Sequence, residues 1–169
     1  MDNETIERIS MVIIESPRGF LFVRRGAEAG GMWTLPIGKH ENGESDKEAA
    51  IRGLDKSTGI LMDPGSLRYI DRFRTIGFEI SLFHKQVDAE IQSYDIHVSD
   101  GYGAAAFMNA SQLKMQHEGK SLHLRTDSAE HPRPERLADY LPAVQHVITH
   151  YLLSEKADSR RKTKQMTDA

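Results

Sequence analysis

"WTLPIGKHENGESDKEAAIRGLDKSTGI", residues 33–60, reads as a short strand, a glycine turn, an acidic loop and one capped helix. Ser45 and Glu48 form an S-x-x-E capping box that starts the helix. Gly59 supplies the residue best suited to a left-handed C-terminal turn, so the helix is expected over about 46 to 58. Gly53 sits in its interior, where glycine costs on the order of 1 kcal/mol relative to alanine. Glycines at 38 and 43 let the backbone turn sharply or approach a ligand. Glu48 and Arg52 are i,i+4 partners with the acid toward the N-terminus, the favoured order. At about 100° per residue, positions 49, 53, 56, 57 and 60 share one face, as Ala49, Gly53, Lys56, Ser57 and Ile60. Glu48, Arg52 and Asp55 lie on a different flank.

Working outward, "ISMVIIE" (9–15) and "FLFVRR" (20–25) are β-branched and aromatic runs joined by "SPRG", the pattern of a hairpin. "GAEAGGMW" (26–33) is a glycine-rich loop, and "WTLPIG" (33–38) is read as a short strand ending in a turn. "DPGS" (63–66) marks a turn before "LRYIDRFR" (67–74) and "GFEISLFHKQVD" (77–88), an expected antiparallel pair. "GAAAFM" (103–108) predicts a further strand and "NASQLKM" (109–115) a short helical turn. Residues 116–136 are polar with two prolines and read as a long loop. "LADYLPAVQHVITHYLL" (137–153) carries a helical apolar stripe, with Pro142 suited to the first turn. From Ser154 the chain has almost no apolar content and is expected to be a disordered tail, leaving a single domain over 1–153. Strands dominate and do not alternate regularly with helices, which places the chain in the α+β class.

The bulk composition narrows the function classes. A formal net charge of −3 over 169 residues points to neither a dedicated nucleic-acid binder nor an acidic tail protein. With no cysteine, disulfides and thiolate metal sites are excluded. "MDNETIERIS" lacks the basic-then-apolar layout of a signal peptide. No apolar run approaches the roughly 20 residues of a membrane span. A cytoplasmic location without membrane contact is the expectation.

The spacing in residues 38–60 resembles the Nudix box, the signature of MutT-like hydrolases acting on nucleoside diphosphates linked to another moiety. The family pattern is glycine, five residues, glutamate, seven residues, then Arg-Glu-apolar-x-Glu-Glu-x-Gly-apolar. Gly38, Glu44, Arg52, Leu54, Gly59 and Ile60 fall in their places. The approach also resembles the family's Trp-x-x-Pro-Gly-Gly, with Ile37 replacing a glycine. The resemblance covers about residues 5 to 153 and implies a Nudix-type α/β/α sandwich with a mixed sheet. It also exposes a departure. Three family glutamates that hold magnesium or manganese on the pyrophosphate are here Gly53, Lys56 and Ser57. Three carboxylates become one ammonium at positions where a hard divalent cation needs oxygen ligands. Asp55 lies about 160° around the axis from position 57 and does not substitute.

The resemblance implies that Glu44 and Arg52 brace the loop against the helix, and it leaves Glu44 as the one carboxylate retained for chemistry. No metal ligand set is assigned, and Mg or Mn is expected only if the chain is a hydrolase. Arg25, Trp33 and Lys56 are the candidate ligand-binding residues, each with a plainer reading: a solvated strand end, a packing indole and an exposed helix lysine. A late acidic residue often assists in this family. Asp88, Glu90, Asp95 and Asp100 are candidates that no spacing separates. His146 and His150 have metal-pair spacing but no HExxH or neighbouring carboxylate, and His117, His123 and His131 fall in polar sequence. The basic "RRKTK" of the tail reads as solubilising.

Three functions follow. The first is a Nudix-fold pseudoenzyme that binds a nucleotide-like, phosphate-bearing small molecule and has lost ordinary hydrolysis. The second is a working hydrolase with non-standard metal ligands. The third is a protein- or RNA-interaction scaffold, with a homodimer as one possible form.

Overall fold

The computed structural model describes residues 6–27, 30–88, 96, 102–120 and 133–153. The tail from 154, Glu90, Asp95, Asp100, His123 and His131 lie outside the described residues.

The first hairpin pairs β1 (Glu7–Ser16) with β2 (Gly19–Arg25) in antiparallel register, Ser16 opposite Gly19, so Pro17 and Arg18 make the turn. "WTLPIG" is not one strand. β3 (Trp33–Thr34) pairs with β2, while β4 (Ile37–Lys39) pairs with β1. The break falls at Leu35–Pro36, where proline has no N–H for a ladder and its carbonyl instead accepts the Val12 N–H at 3.1 Å. α1 follows at Asp46–Thr58. After a short 3₁₀ turn at Pro64–Ser66, β5 (Arg68–Thr75) and β6 (Phe78–Gln86) form the second hairpin. β6 then lies parallel to β1 over its whole length, which makes the sheet mixed.

β7 (Tyr102–Met108) pairs antiparallel with β2. Its helix, α2, runs over Ala110–His117, two residues beyond the expected turn, and opens with a capping box between Asn109 and Gln112. The C-terminal apolar stripe divides. Leu137–Asp139 is a 3₁₀ turn, α3 starts at Pro142 and runs to Val147, and Ile148–Leu152 continue it as a π-helical turn. Proline at the first helical position explains the late start.

The sheet order is β3-β2-β1-β6-β5, with β4 added on β1 and β7 on β2. Side chains alternate across it. Ile9, Met11, Ile13, Phe22, Ile80 and Leu82 face the layer of α2 and α3, where Tyr140, Val144, Val147 and Ile148 are buried. Val12, Ile14, Leu21 and Phe83 face α1 through Ala50 and Leu54. The result is an α/β/α sandwich of the α+β class. Among the described residues no helix is long and apolar enough to cross a membrane.

The α3 side contains one buried polar chain. The fully buried Tyr140 donates its hydroxyl to Gln116 Oε1 at 2.7 Å, and Gln116 Nε2 donates to the Pro134 carbonyl at 2.9 Å. Burial pushes the Tyr140 hydroxyl well above its ordinary pKa, so it remains a neutral donor. Tyr140→Phe leaves Gln116 Oε1 without that donor. Chemical denaturation is expected to show a loss of about 1–3 kcal/mol.

Candidate functional site

α1 is capped at both ends, and the loop before it and the sheet restrain it further. At its start, Ser45 Oγ accepts the Glu48 N–H at 3.1 Å. At its end, Gly59 adopts φ 75° and its N–H reaches the Asp55 carbonyl at 2.7 Å. The loop before it is closed by a fork. Arg52 Nε donates to Glu44 Oε2 at 2.8 Å and Nη2 donates to Oε1 at 3.0 Å. The same guanidinium donates to the Lys39 carbonyl, and Nη1 lies 3.6 Å from Glu41. Glu44 Oε1 also accepts the Glu41 N–H at 3.0 Å. Arg52 therefore turns to the loop, not to Glu48 as the i,i+4 spacing suggested. Bidentate charge-assisted pairing of this kind fixes geometry as well as adding energy. The hydrogen bond from Arg52 holds the Glu44 carboxyl below its ordinary pKa.

Asp46, at the first position of α1, carries a network that sequence reading missed. Its carboxylate accepts from Arg8 at 2.9 Å, Arg72 at 2.6 Å and Ser81 Oγ at 2.9 Å. His40 Nε2 lies 3.1 Å from it and 3.0 Å from Ser10 Oγ. Burial alone would raise the Asp46 pKa, but the hydrogen bonds from Ser81 and Arg72 overcome it and hold the group low. An acid in the first turn also suits the positive end of the helix. The partners come from β1, the loop after β4, β5 and β6, so one side chain ties the helix start to three strands.

The inward face of α1 meets β4 backbone to backbone. A methyl built on Gly53 would lie 2.5 Å from Gly38 N and closer still to the Ile37 carbonyl carbon and oxygen. A methyl built on Gly38 would lie 2.8 Å from the Ala49 carbonyl carbon and nearer to its oxygen. Real Cβ atoms essentially never come within 3.0 Å of such atoms. Neither glycine has a positive φ, so the requirement is space rather than backbone freedom. Gly53 is in the helix because the Ile37–Gly38 peptide occupies the place of its side chain.

Ala49, Gly53 and Ser57 are buried on this face, while Lys56 is exposed at its edge. Ser57 Oγ donates back to the Gly53 carbonyl at 2.8 Å. Trp33 is 3% exposed and packed in the core, with its carbonyl accepting the Leu141 N–H at 2.9 Å. That burial leaves little of the indole accessible to a ligand. Arg25 is half-buried beside a register shift at the end of β2, and the neighbouring Arg24 Nε donates to the Gly31 carbonyl at 3.0 Å. Asp88 follows β6. His146 and His150 are adjacent, with ring centroids 4.3 Å apart, and His146 packs against Phe73. Tyr151 donates to Asp71 at 2.6 Å, and burial pushes its hydroxyl up to about 12.

The sequence matches the family model described as NUDIX domain over residues 6–123. The chain belongs to the Nudix family. No curated protein is significantly similar to it. Among solved structures, it resembles a putative nudix hydrolase family member from Chromobacterium violaceum, with TM-score 0.58, 17% identity and coverage of 95% of this chain and 90% of that one. The dihydroneopterin triphosphate pyrophosphohydrolase of E. coli aligns with TM-score 0.57 and 16% identity, over 86% and 94% of the two chains. A MutT/nudix family protein from Enterococcus faecalis gives TM-score 0.55 and 15% identity, over 64% of this chain. This chain spans only 46% of that protein's length. At these identities the likeness is one of fold.

The Nudix family commonly uses Mg or Mn, which asks for oxygen donors. At the three glutamate positions of the box, Gly53 has no side chain, Ser57 donates back into the helix and Lys56 is a cation. That donor set does not fit a hard divalent ion. Among the described residues, no group of three or more histidine, aspartate or glutamate side chains is placed to hold a metal.

The depressed carboxyls fix the sign of a pH dependence. Stability contributed by Glu44 and Asp46 is present above the ordinary carboxylate range and lost as pH falls through their lower folded values. The thermal midpoint is expected to fall below about pH 4. Asp46→Asn should flatten part of that acid limb, as read by midpoints between neutral and acid pH.

Proposed function

We propose that this Nudix-family chain binds a nucleotide or another phosphate-bearing small molecule in the cytoplasm, with metal-dependent pyrophosphohydrolase activity lost or strongly impaired. The observation that carries the reading is the contrast within one helix. The scaffold residues Gly38, Glu44, Arg52, Leu54 and Gly59 stay in their box positions, and Glu44 and Arg52 form a closed bidentate pair. The positions that would offer carboxylates present Gly53, Lys56 and Ser57. Glu44, the carboxylate retained from the pattern, already accepts from Arg52 and from the loop backbone. A brace survives and a metal cluster does not.

Lys56 is the group on that face with the charge to meet a phosphate. It is exposed in the last turn of α1, where a cation is also favoured by the helix dipole. Arg25, at the end of β2, is the second candidate. The E. coli relative is named for a heterocyclic triphosphate, which falls in the same broad ligand class.

A thermal-shift screen of nucleoside triphosphates, sugar nucleotides and dinucleoside polyphosphates, with and without Mg²⁺ or Mn²⁺, tests the proposal. A ligand at about 100 times its Kd should raise the midpoint by roughly 5–10 °C, whether or not metal is added. Lys56→Glu should reduce that shift. Metal-dependent turnover of any of these compounds, abolished by Glu44→Gln, contradicts the proposal and returns the chain to the hydrolases.

A further inference from the structure

We propose that this chain has lost the room for the family's metal-binding carboxylates as well as the carboxylates themselves, because its own backbone closes the seat of their side chains. The reading deepens the one above at the same helix and rests on the same family assignment. A missing ligand set can be restored by substitution. A seat filled by main chain cannot, short of moving the helix.

The geometry points to the second case at two of the three positions. A carboxylate at 53 has to leave the helix through Cβ, and that point already lies within 2.5 Å of Gly38 N and nearer to the Ile37 carbonyl. These are backbone atoms of a strand paired with β1, not the far end of a flexible side chain that can turn away. Gly38 meets α1 in the same manner from the other side, against Ala49. The two glycines thus interlock, and relieving one contact requires lifting the helix off both. Position 57 is fully buried, and its hydroxyl is turned back to the Gly53 carbonyl. A glutamate there would place a charge in a space that fits a small side chain, at the cost of burying an ion.

The helix is also poorly able to lift. Asp46 fixes its start to Arg8, Arg72 and Ser81, and Arg52 fixes its middle to Glu44 and the Lys39 carbonyl. Lys39 is the residue after Gly38, so the brace pulls the helix toward the strand it already touches. Position 56 is different. It is exposed, so a carboxylate there meets no buried wall. One accessible position is too few for an ion that requires several oxygen ligands.

The test titrates Mn²⁺ into the full chain by calorimetry. The proteins are wild type, Lys56→Glu/Ser57→Glu and the triple variant that adds Gly53→Glu, each with a thermal midpoint. Neither variant is expected to gain as much as about tenfold in Mn²⁺ affinity. Adding Gly53→Glu should lower the midpoint by on the order of 5 °C or more, or prevent folding. A gain of about tenfold or more in either variant overturns the proposal. Gly53→Ala decides the matter if the carboxylate variants do not fold. In an open helix position alanine raises the midpoint through its propensity, whereas a closed seat makes it fall. An unchanged or higher midpoint for Gly53→Ala overturns the proposal. None of these readouts involves a phosphate ligand. A screen that finds no such ligand removes the binding proposal and leaves the closed seat standing.

Discussion

The contact between Gly53 on α1 and the Ile37–Gly38 peptide of β4 sets how close the helix lies to the sheet. It needs glycine on both sides, since a Cβ at 53 would enter the Ile37–Gly38 peptide and a Cβ at 38 would enter the Ala49 carbonyl. The cost is a residue that disfavours helix by on the order of 1 kcal/mol. Close apposition of two main chains returns dispersion contacts over Ala49, Gly53 and Ser57. It also sets the depth at which Ala50 and Leu54 reach Val12, Ile14 and Leu21 on the sheet.

The ionic groups around the helix make sense against that contact. Asp46 accepts from two arginines and a serine hydroxyl on three strands while sitting at the positive end of α1, and the Arg52 fork joins the helix to Glu44 and to the residue following Gly38. Both pairs are partly shielded from solvent, with the carboxylates less exposed than the arginines. Each acts mainly to hold position. In this Nudix box the restraints are in place, while glycine, lysine and serine stand where the family pattern has glutamate.

Much of this was legible in the sequence, and the failures have local physical causes. The helix boundaries agree with the structure because Ser45 and Gly59 are strong, local signals. The two hairpins were readable because their connections are short and glycine-containing. "WTLPIG" was misread as one strand because an apolar run does not reveal that Pro36 diverts its two halves to different partners. Asp46 gave no signal, since Ser81 lies 35 residues away in sequence and only the parallel β1–β6 pairing brings it near. Trp33 carried both a packing and a ligand-stacking reading in the sequence, and its pairing with the distant Tyr140–Leu141 segment gave no local signal. Gly53 was visible as an anomaly and as one of three missing glutamates. That its absent side chain is replaced by β4 backbone is a tertiary fact.

The most direct measurement of the interlock is the nuclear Overhauser effect between the Gly53 α-protons and the Gly38 amide in isotopically labelled protein. The account predicts a strong cross-peak that stays unchanged in excess Mg²⁺. A missing cross-peak, or one that disappears as Mg²⁺ is added, would show that the helix stands off the strand and that an ion can enter between them.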